Sequence, residues 1–127
     1  MSVSILFGST AQAFAPKILD MRTPAYAKKF AKSQLPYWGW NRVQWSCLNT
    51  LWTRESNWRP NAKNSTPVKM WINGKVVKLY AGGIPQRIGL NPKTSVQRQV
   101  NVGLSYIRAR YGSPCVALNH SFRVGWY

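Results

Sequence analysis

The stretch "CLNTLWTRESNW", residues 47–58, contains Glu55, the single glutamate of the 127-residue chain. Leu48, Leu51 and Trp52 precede Glu55 at spacings that place all four side chains on one face of a helix. Glu55 therefore continues an apolar stripe, although a plain surface glutamate remains the alternative. Burial at the end of such a stripe raises a carboxyl pKa. A carboxylic acid that stays protonated near neutral pH is suited to general-acid catalysis, so Glu55 is the candidate catalytic residue.

The charge of the chain is strongly one-sided. It has 18 Lys and Arg residues against two acidic residues, Asp20 and Glu55, which gives a formal net charge of +16. Because 45% of the residues are hydrophobic, the chain can bury a core and is not a disordered basic tail. Such a charge indicates an anionic partner: nucleic acid, acidic lipid or an anionic cell-wall polymer.

The scarcity of acids narrows the chemistry. Most glycosidases use two carboxylates, and here Asp20 is the only available second one. One His, two Cys and two acids are too few for a well-spaced metal site, so no metal or cofactor is expected. A Ser-His-Asp triad would have to recruit His120 and Asp20 without a nucleophile-elbow motif. Substrate-assisted glycoside cleavage, an exception to the two-carboxylate rule, fits best.

The hydrophobic patterns predict an α+β fold that is mainly helical, with one small β-hairpin. Asn73-Gly74, between two β-branched and aromatic runs, is a strong hairpin signal. Residues 1–24 form a predicted N-terminal arm and residues 25–127 a single domain. The predicted elements are helices over Ala25–Leu35, Val43–Ser56 and Ser95–Tyr111, a fourth helix that starts at Ser113-Pro114, strands Val68–Ile72 and Lys75–Leu79, and a loop "AGGIPQ" over 81–86.

Residues 1–15 are mildly apolar, but no basic residue precedes the apolar run and Ser, Gly and Thr interrupt it. That makes a poor signal peptide, although a cleaved leader remains an alternative. No stretch is long enough to span a membrane. Cys47 and Cys115 are open to two interpretations from the residues alone, a disulfide or two buried thiols.

Three blocks of sequence together resemble a known family. They are "CLNTLWTRESNW", "GIPQ" at 83–86 and "QVNVGLSYIRARYGSPCVALNHSFRVGWY" at 99–127. In this order they are similar to the lysozyme-like lytic transglycosylase domain of the SLT type, nearest to small secreted actinobacterial wall proteins and phage virion enzymes. With "TPAYAKKFAKSQL" and "WGWNRVQWSCL", the resemblance covers about Thr23 to Tyr127. It implies a lysozyme-like fold, a peptidoglycan substrate, and an extracellular or cell-wall-facing protein that is secreted or virion-associated.

The resemblance also implies residue roles. Glu55 matches the acid/base that cleaves between N-acetylmuramic acid and N-acetylglucosamine and yields a 1,6-anhydro product without a second carboxylate. It implies a Cys47–Cys115 disulfide. The residues implied to bind substrate are Ser56, the cleft-lining Gly83, Ile84, Pro85 and Gln86, the site-facing Gln99 and Tyr106, and His120 and Tyr127 of the closing motif. Each has a structural alternative: Ser56 can end its helix, Gln86 can bond loop backbone, and Tyr106 and His120 can pack in the core.

The chain departs from the family pattern at the segment "STPVKMWINGKVVKLYAG", residues 65–82, and in a shortened loop after Gln86. We therefore expect a rebuilt cleft rim, with the hairpin as one lip and with Lys69, Lys75 and Lys78 facing substrate or wall polymer. Two alternatives remain open. One is a hydrolytic lysozyme with the same site. The other is a non-enzymatic nucleic-acid-binding or virion protein whose basic face contains Lys28, Lys29, Lys32, Arg108, Arg110 and Arg123.

Overall fold

The computed structural model describes residues 20–127, so the predicted leader and most of the predicted arm lie outside the described residues. The fold is α+β and mainly helical, as predicted. Its elements are 3₁₀ helices Asp20–Arg22 and Leu35–Trp38, helices α1 (Pro24–Gln34), α2 (Arg42–Ser56), α3 (Val96–Tyr111) and α4 (Pro114–Val124), and strands β1 (Val68–Ile72), β2 (Lys75–Leu79), β3 (Ala81–Gly82) and β4 (Arg87–Ile88).

Polar caps set the helix starts within a residue of the predicted bounds. The Thr23 side chain accepts from the Tyr26 N–H at the start of α1, and the Ser95 side chain accepts from the Arg98 N–H at the start of α3. Asn41 caps α2 by accepting from two backbone N–H groups, a cap that the sequence analysis did not identify. Ser113 occupies the N-cap position of α4 but makes no capping hydrogen bond.

Helix α2 runs through the core and carries the predicted stripe. Leu48, Leu51 and Trp52 are fully buried and pack with apolar residues of α1, α3 and α4. Close approach of α3 to α2 depends on Gly103, because a Cβ there would lie 2.5 Å from Cζ2 of Trp52. The stripe therefore fixes the orientation of α2 and, with it, the direction in which Glu55 points.

A disulfide joins α2 to the first turn of α4. Cys47 and Cys115 are bonded, with their Cα atoms 4.9 Å apart and a sequence separation of 68. The pairing implied by the family resemblance is therefore confirmed. It fixes the C-terminal helix against the helix that carries Glu55.

The predicted hairpin is confirmed with its register. Val68 pairs with Leu79 and Ile72 with Lys75, and the turn residues Asn73 and Gly74 have φ values of 51° and 77°. These positive values are those of a type I′ turn, which favours Asn-Gly. The 81–86 segment is not the plain loop that was predicted, because its first two residues, Ala81–Gly82, form β3. Strands β3 and β4 pair as a second small hairpin around residues 83–86.

The start of the described chain is tied to the domain. The Arg22 guanidinium donates to the carbonyl oxygens of Thr94 and Pro92 and to the Asn61 side chain, at 2.7–2.9 Å. The last residues of the predicted arm therefore pack on the domain.

Among residues 20–127, no helix is long and apolar enough to cross a bilayer, and no cluster of three potential metal ligands occurs.

Candidate functional site

Glu55 lies in the last turn of α2, half-buried, at the edge of a cavity of about 260 Å³. Within the part of the chain that the structure describes, its carboxyl makes no hydrogen bond or ion pair. The cavity is also lined by Asn64, Ala81, Gln86, Arg87, Ile88, Gly125, Trp126 and Tyr127. The lone carboxyl thus faces space that a ligand could fill.

Burial changes the acidity of Glu55. Desolvation raises its pKa from 4.5 to about 6, and the nearby positive charge of Arg54 opposes this shift. The Arg54 guanidinium lies over the Phe122 ring, 4.6 Å from the ring centroid, and forms no ion pair with the carboxyl. At pH 6 about half of the Glu55 population is therefore protonated, and about a tenth is protonated at pH 7, so the acid form that a general acid requires persists at mildly acidic pH.

The segment Gly83–Gln86 forms the wall beside Glu55 and is fixed through its backbone. The Ser56 hydroxyl donates to the Ile84 carbonyl at 2.6 Å, and the Ile84 N–H donates to the Gln99 side-chain oxygen at 2.8 Å. The Tyr127 hydroxyl donates to the Pro85 carbonyl at 2.5 Å. One side chain each from α2, from α3 and from the end of the chain thus positions the segment Gly83–Gln86.

This arrangement corrects several predicted substrate contacts. Ser56, Gly83, Ile84, Pro85 and Gln99 are all buried, and none of them lines the cavity at Glu55. They position the wall rather than form its surface. Sequence matching identified them as site residues without distinguishing contact from support.

Gln86 and Tyr127 do line the cavity with Glu55. Gln86 has a φ of 51°, which non-glycine residues rarely adopt, and its side-chain amide donates to the Gly83 carbonyl at 3.0 Å. The Tyr127 hydroxyl accepts from the Trp52 indole N–H at 3.0 Å. Burial, and then the charge of Glu55, raise the Tyr127 pKa well above its usual range, so this phenol stays neutral.

Gln99 makes the largest set of the hydrogen bonds that support this loop. Replacing Gln99 therefore tests whether it supports the loop or contacts substrate. Its amide group donates to the carbonyls of Pro60, Pro92 and Thr94 at 3.0–3.1 Å while its oxygen accepts from Ile84. We expect Gln99→Met, which conserves volume, to lower the free energy of unfolding by about 3 kcal/mol in urea denaturation, because it leaves buried backbone groups unpaired. Unchanged stability combined with weaker substrate binding would instead make Gln99 a substrate contact.

A second cavity of about 590 Å³ adjoins the first beneath the hairpin. The two share Arg87, Ile88, Trp126 and Tyr127, and Tyr106 lines the second one. The hairpin contributes Val68, Met70 and Leu79, so it forms one wall, as a lip of a cleft would.

His120 lines neither cavity. Its ring packs against Trp126 with centroids 4.6 Å apart, and its Nε2 atom is buried without a hydrogen-bond partner among the described residues.

Arg87 is the charged residue of the site that the sequence did not predict. It is half-buried, lines both cavities, and its guanidinium carbon lies 3.4 Å from the centroid of the Tyr106 ring. The short "RIGLN" segment suggested only a truncated loop. Pairing of β4 with β3 turns this segment back over α3 and brings Arg87 into the cleft. No local pattern signals that long-range contact.

The hairpin lysines do not share a face. Lys69 pairs with Lys78 across the strands, whereas Lys75 pairs with Ile72. Because successive side chains alternate between faces, Lys75 lies on the face of Met70, which lines the cavity, and Lys69 and Lys78 lie on the opposite face. Of the three lysines, Lys75 therefore lies on the cavity side of the hairpin, whereas Lys69 and Lys78 face away from the cavity.

The six predicted basic residues do not form one face either. Lys32 lies over Trp45, with Nζ 5.9 Å from the ring centroid, and Arg108 lies 4.9 Å from the Trp40 centroid. Arg110 instead lines the cavity beneath the hairpin. A basic aromatic patch thus surrounds Trp40 and Trp45, at a separate pocket of about 270 Å³ that shares no lining residue with the Glu55 cavity.

Comparisons of the chain with protein-family models, with curated protein sequences and with solved structures find no match.

Proposed function

We propose that this protein is a lytic transglycosylase that cleaves the β-1,4 bond between N-acetylmuramic acid and N-acetylglucosamine in peptidoglycan. The observation that carries the proposal is Glu55: a lone, half-buried, unpaired carboxyl with a pKa of about 6 at the edge of a cleft. The resemblance of the segments around Glu55, Gly83 and Gln99 to the SLT-type domain supports the substrate. The Cys47–Cys115 disulfide is compatible with a cell-wall-facing location.

The proposed reaction uses Glu55 twice. Protonated Glu55 first donates its proton to the glycosidic oxygen, and the C1–O bond breaks as the sugar's own acetamido oxygen bonds to C1. Ionised Glu55 then takes the proton of the C6 hydroxyl, whose oxygen attacks C1 and displaces the acetamido oxygen. The product is a 1,6-anhydro sugar, and Glu55 is protonated again. Because the sugar supplies both nucleophiles, proximity within the site replaces a second carboxylate.

Product mass tests the reaction type. Digestion of purified sacculi should give muropeptides lighter by one water than hydrolytic products. The decisive variant is Asp20→Asn, since Asp20 is the only other acid and a hydrolase needs a second carboxylate about 5–9.5 Å from the first. Ordinary reducing ends, or an inactive Asp20→Asn variant, would make the protein a hydrolytic lysozyme instead.

The raised pKa of Glu55 predicts the pH dependence of activity. Its acid form is required for the first proton transfer, and this form is lost as pH rises through about 6. We expect kcat on soluble glycan fragments to fall about tenfold for each pH unit above that value. Steady-state rates between pH 5 and pH 8, with circular dichroism to confirm folding at each pH, give the profile. A flat profile across this range would contradict the role of Glu55 as the acid.

Arg87 is suited to bind an anionic group of the substrate. It is a half-buried cation between the two cavities with no carboxylate paired to it among the described residues. The lactyl and stem-peptide carboxylates of peptidoglycan are chemically matched partners, because charge-assisted hydrogen bonds to carboxylates are strong. Here Arg87 acts through substrate binding rather than through proton transfer.

We expect Arg87→Gln to raise the KM for peptidoglycan about tenfold while changing kcat little, since one charge-assisted hydrogen bond is lost. Arg98→Gln, which removes an exposed arginine of α3, is the matched control. Substrate whose carboxylates have been amidated should reduce the difference between wild type and Arg87→Gln. A loss confined to kcat would argue that Arg87 acts on the reacting bond.

A second candidate function is favoured by the basic aromatic patch. Lys32 over Trp45 and Arg108 over Trp40 combine cations with aromatic faces, as in proteins that bind single-stranded nucleic acid. A salt titration of single-stranded DNA binding tests it. Trp45→Ala should weaken binding about tenfold if a base stacks there. If Trp45→Ala leaves the affinity unchanged, the patch attracts nucleic acid only by its charge and no base stacks on Trp45.

A further inference from the structure

The outer face of the β1–β2 hairpin, opposite the cavity, consists of Lys69, Trp71, Val76 and Lys78. Trp71 is 76% exposed and Val76, its cross-strand partner, is 51% exposed. Each of the other tryptophans packs against a second ring or a cation within residues 20–127, whereas Trp71 does neither. The face thus presents a large apolar side chain that the protein does not use in its own packing.

The charges on this face also lack a partner. Lys69 and Lys78 are directly opposite one another across the strands, an arrangement of like charges that is destabilising. The whole chain contains two acids, and one of them, Glu55, lies in the cleft. No ion pair joins either lysine to an acidic side chain within residues 20–127, so an external anion bound here would relieve the repulsion between them.

The spacing of apolar and basic groups matches a membrane interface. Trp71 and Val76 lie nearer the Asn73-Gly74 turn, and the lysine pair lies two residues further back, about 7 Å along the strands. Interfacial segments place apolar groups roughly 5–10 Å into the boundary between headgroups and acyl chains. Tryptophan at that depth, with lysines at the level of the phosphates, is the common arrangement.

We propose that the hairpin tip docks on an anionic lipid surface, with Trp71 and Val76 inserted at the interface and with Lys69 and Lys78 bound to the lipid phosphates. A hydrated polyanion such as nucleic acid or wall polymer would satisfy the lysines. It would not remove the exposed Val76 from water. The apolar side chains of this face therefore favour lipid. The inner hairpin face stays free to line the cleft, so this activity is separate from glycan cleavage.

Co-sedimentation with vesicles tests the proposal. Wild-type protein should bind vesicles that contain phosphatidylglycerol more strongly than vesicles of phosphatidylcholine alone. Trp71→Ser should lower the partition coefficient on the anionic vesicles about tenfold, and this loss should persist at high salt because apolar insertion is not screened. Lys69→Gln combined with Lys78→Gln should lower it about thirtyfold at low salt and much less at high salt.

Matched controls separate the hairpin from the overall charge. Tyr37→Ser removes an exposed aromatic side chain elsewhere, and Lys93→Gln with Arg98→Gln removes two exposed charges elsewhere. Equal losses in the hairpin variants and in their controls would overturn the proposal. So would an equal loss of binding to single-stranded DNA and to lipid in Trp71→Ser. Clearing of lipid-free sacculi by Trp71→Ser should match wild type, so failure of this inference and failure of the proposed cleavage give different results.

Discussion

Glu55→Gln should abolish clearing of purified sacculi, with a loss of at least about a thousandfold, while the protein remains folded. The amide cannot donate the proton that the leaving oxygen requires, and general-acid catalysis contributes about 10²–10⁴ to rate. Nothing in the described chain can substitute for it, because Glu55 is the only acid that lines the cavity. The measurement is turbidity clearing, with muropeptide release quantified by mass spectrometry.

Stability supplies the control for this variant. The pKa of Glu55 is higher in the folded protein than its ordinary value of 4.5, so folding favours the protonated form. The contribution of Glu55 to the free energy of unfolding is therefore fully present below pH 4.5 and is lost as pH rises through about 6. Glutamine does not ionise, so Glu55→Gln avoids this loss of stability. The variant should therefore unfold at the same or a slightly higher temperature than wild type at pH 7. An inactive variant that is also unfolded would not assign the role, whereas an active, folded one would exclude it.

Much of the helical framework could be predicted because it depends on local patterns. The stripe of Leu48, Leu51 and Trp52 predicts both α2 and its buried face, and Asn73-Gly74 predicts the hairpin with its turn geometry. In each case the relevant residues lie within a few positions of one another. Glu55 was identified for the same reason, since its environment follows from its position on the stripe.

The supporting structure of the site could not be predicted in this way. Gln99 has a polar side chain in the first turn of α3, which by itself suggests either solvent or substrate. In the structure it bonds to the backbone of Pro60, Ile84, Pro92 and Thr94, which only tertiary folding brings together.

Removal of the disulfide should produce the largest loss of stability. We expect Cys47→Ala combined with Cys115→Ala to lower the free energy of unfolding by about 4 kcal/mol, because the bridged positions have a sequence separation of 68 and the bridge restricts the unfolded chain. A net charge of +16 adds to this effect, since repulsion favours an expanded unfolded chain once the covalent link is absent. Urea denaturation of wild type and the double variant gives the difference.

The double alanine variant isolates the covalent bond from the contacts around it. The Cys115 backbone N–H donates to the Gln44 side-chain oxygen at 2.9 Å, and this bond survives replacement of the cysteine side chain. Gln44→Leu in the oxidised protein measures the contribution of that hydrogen bond separately. We expect this substitution to lower the free energy of unfolding by only about 1 kcal/mol. Salt should partly restore the double variant by screening repulsion. A difference below about 1 kcal/mol would show that the contacts between α2 and α4 fix the Glu55 helix without the bridge.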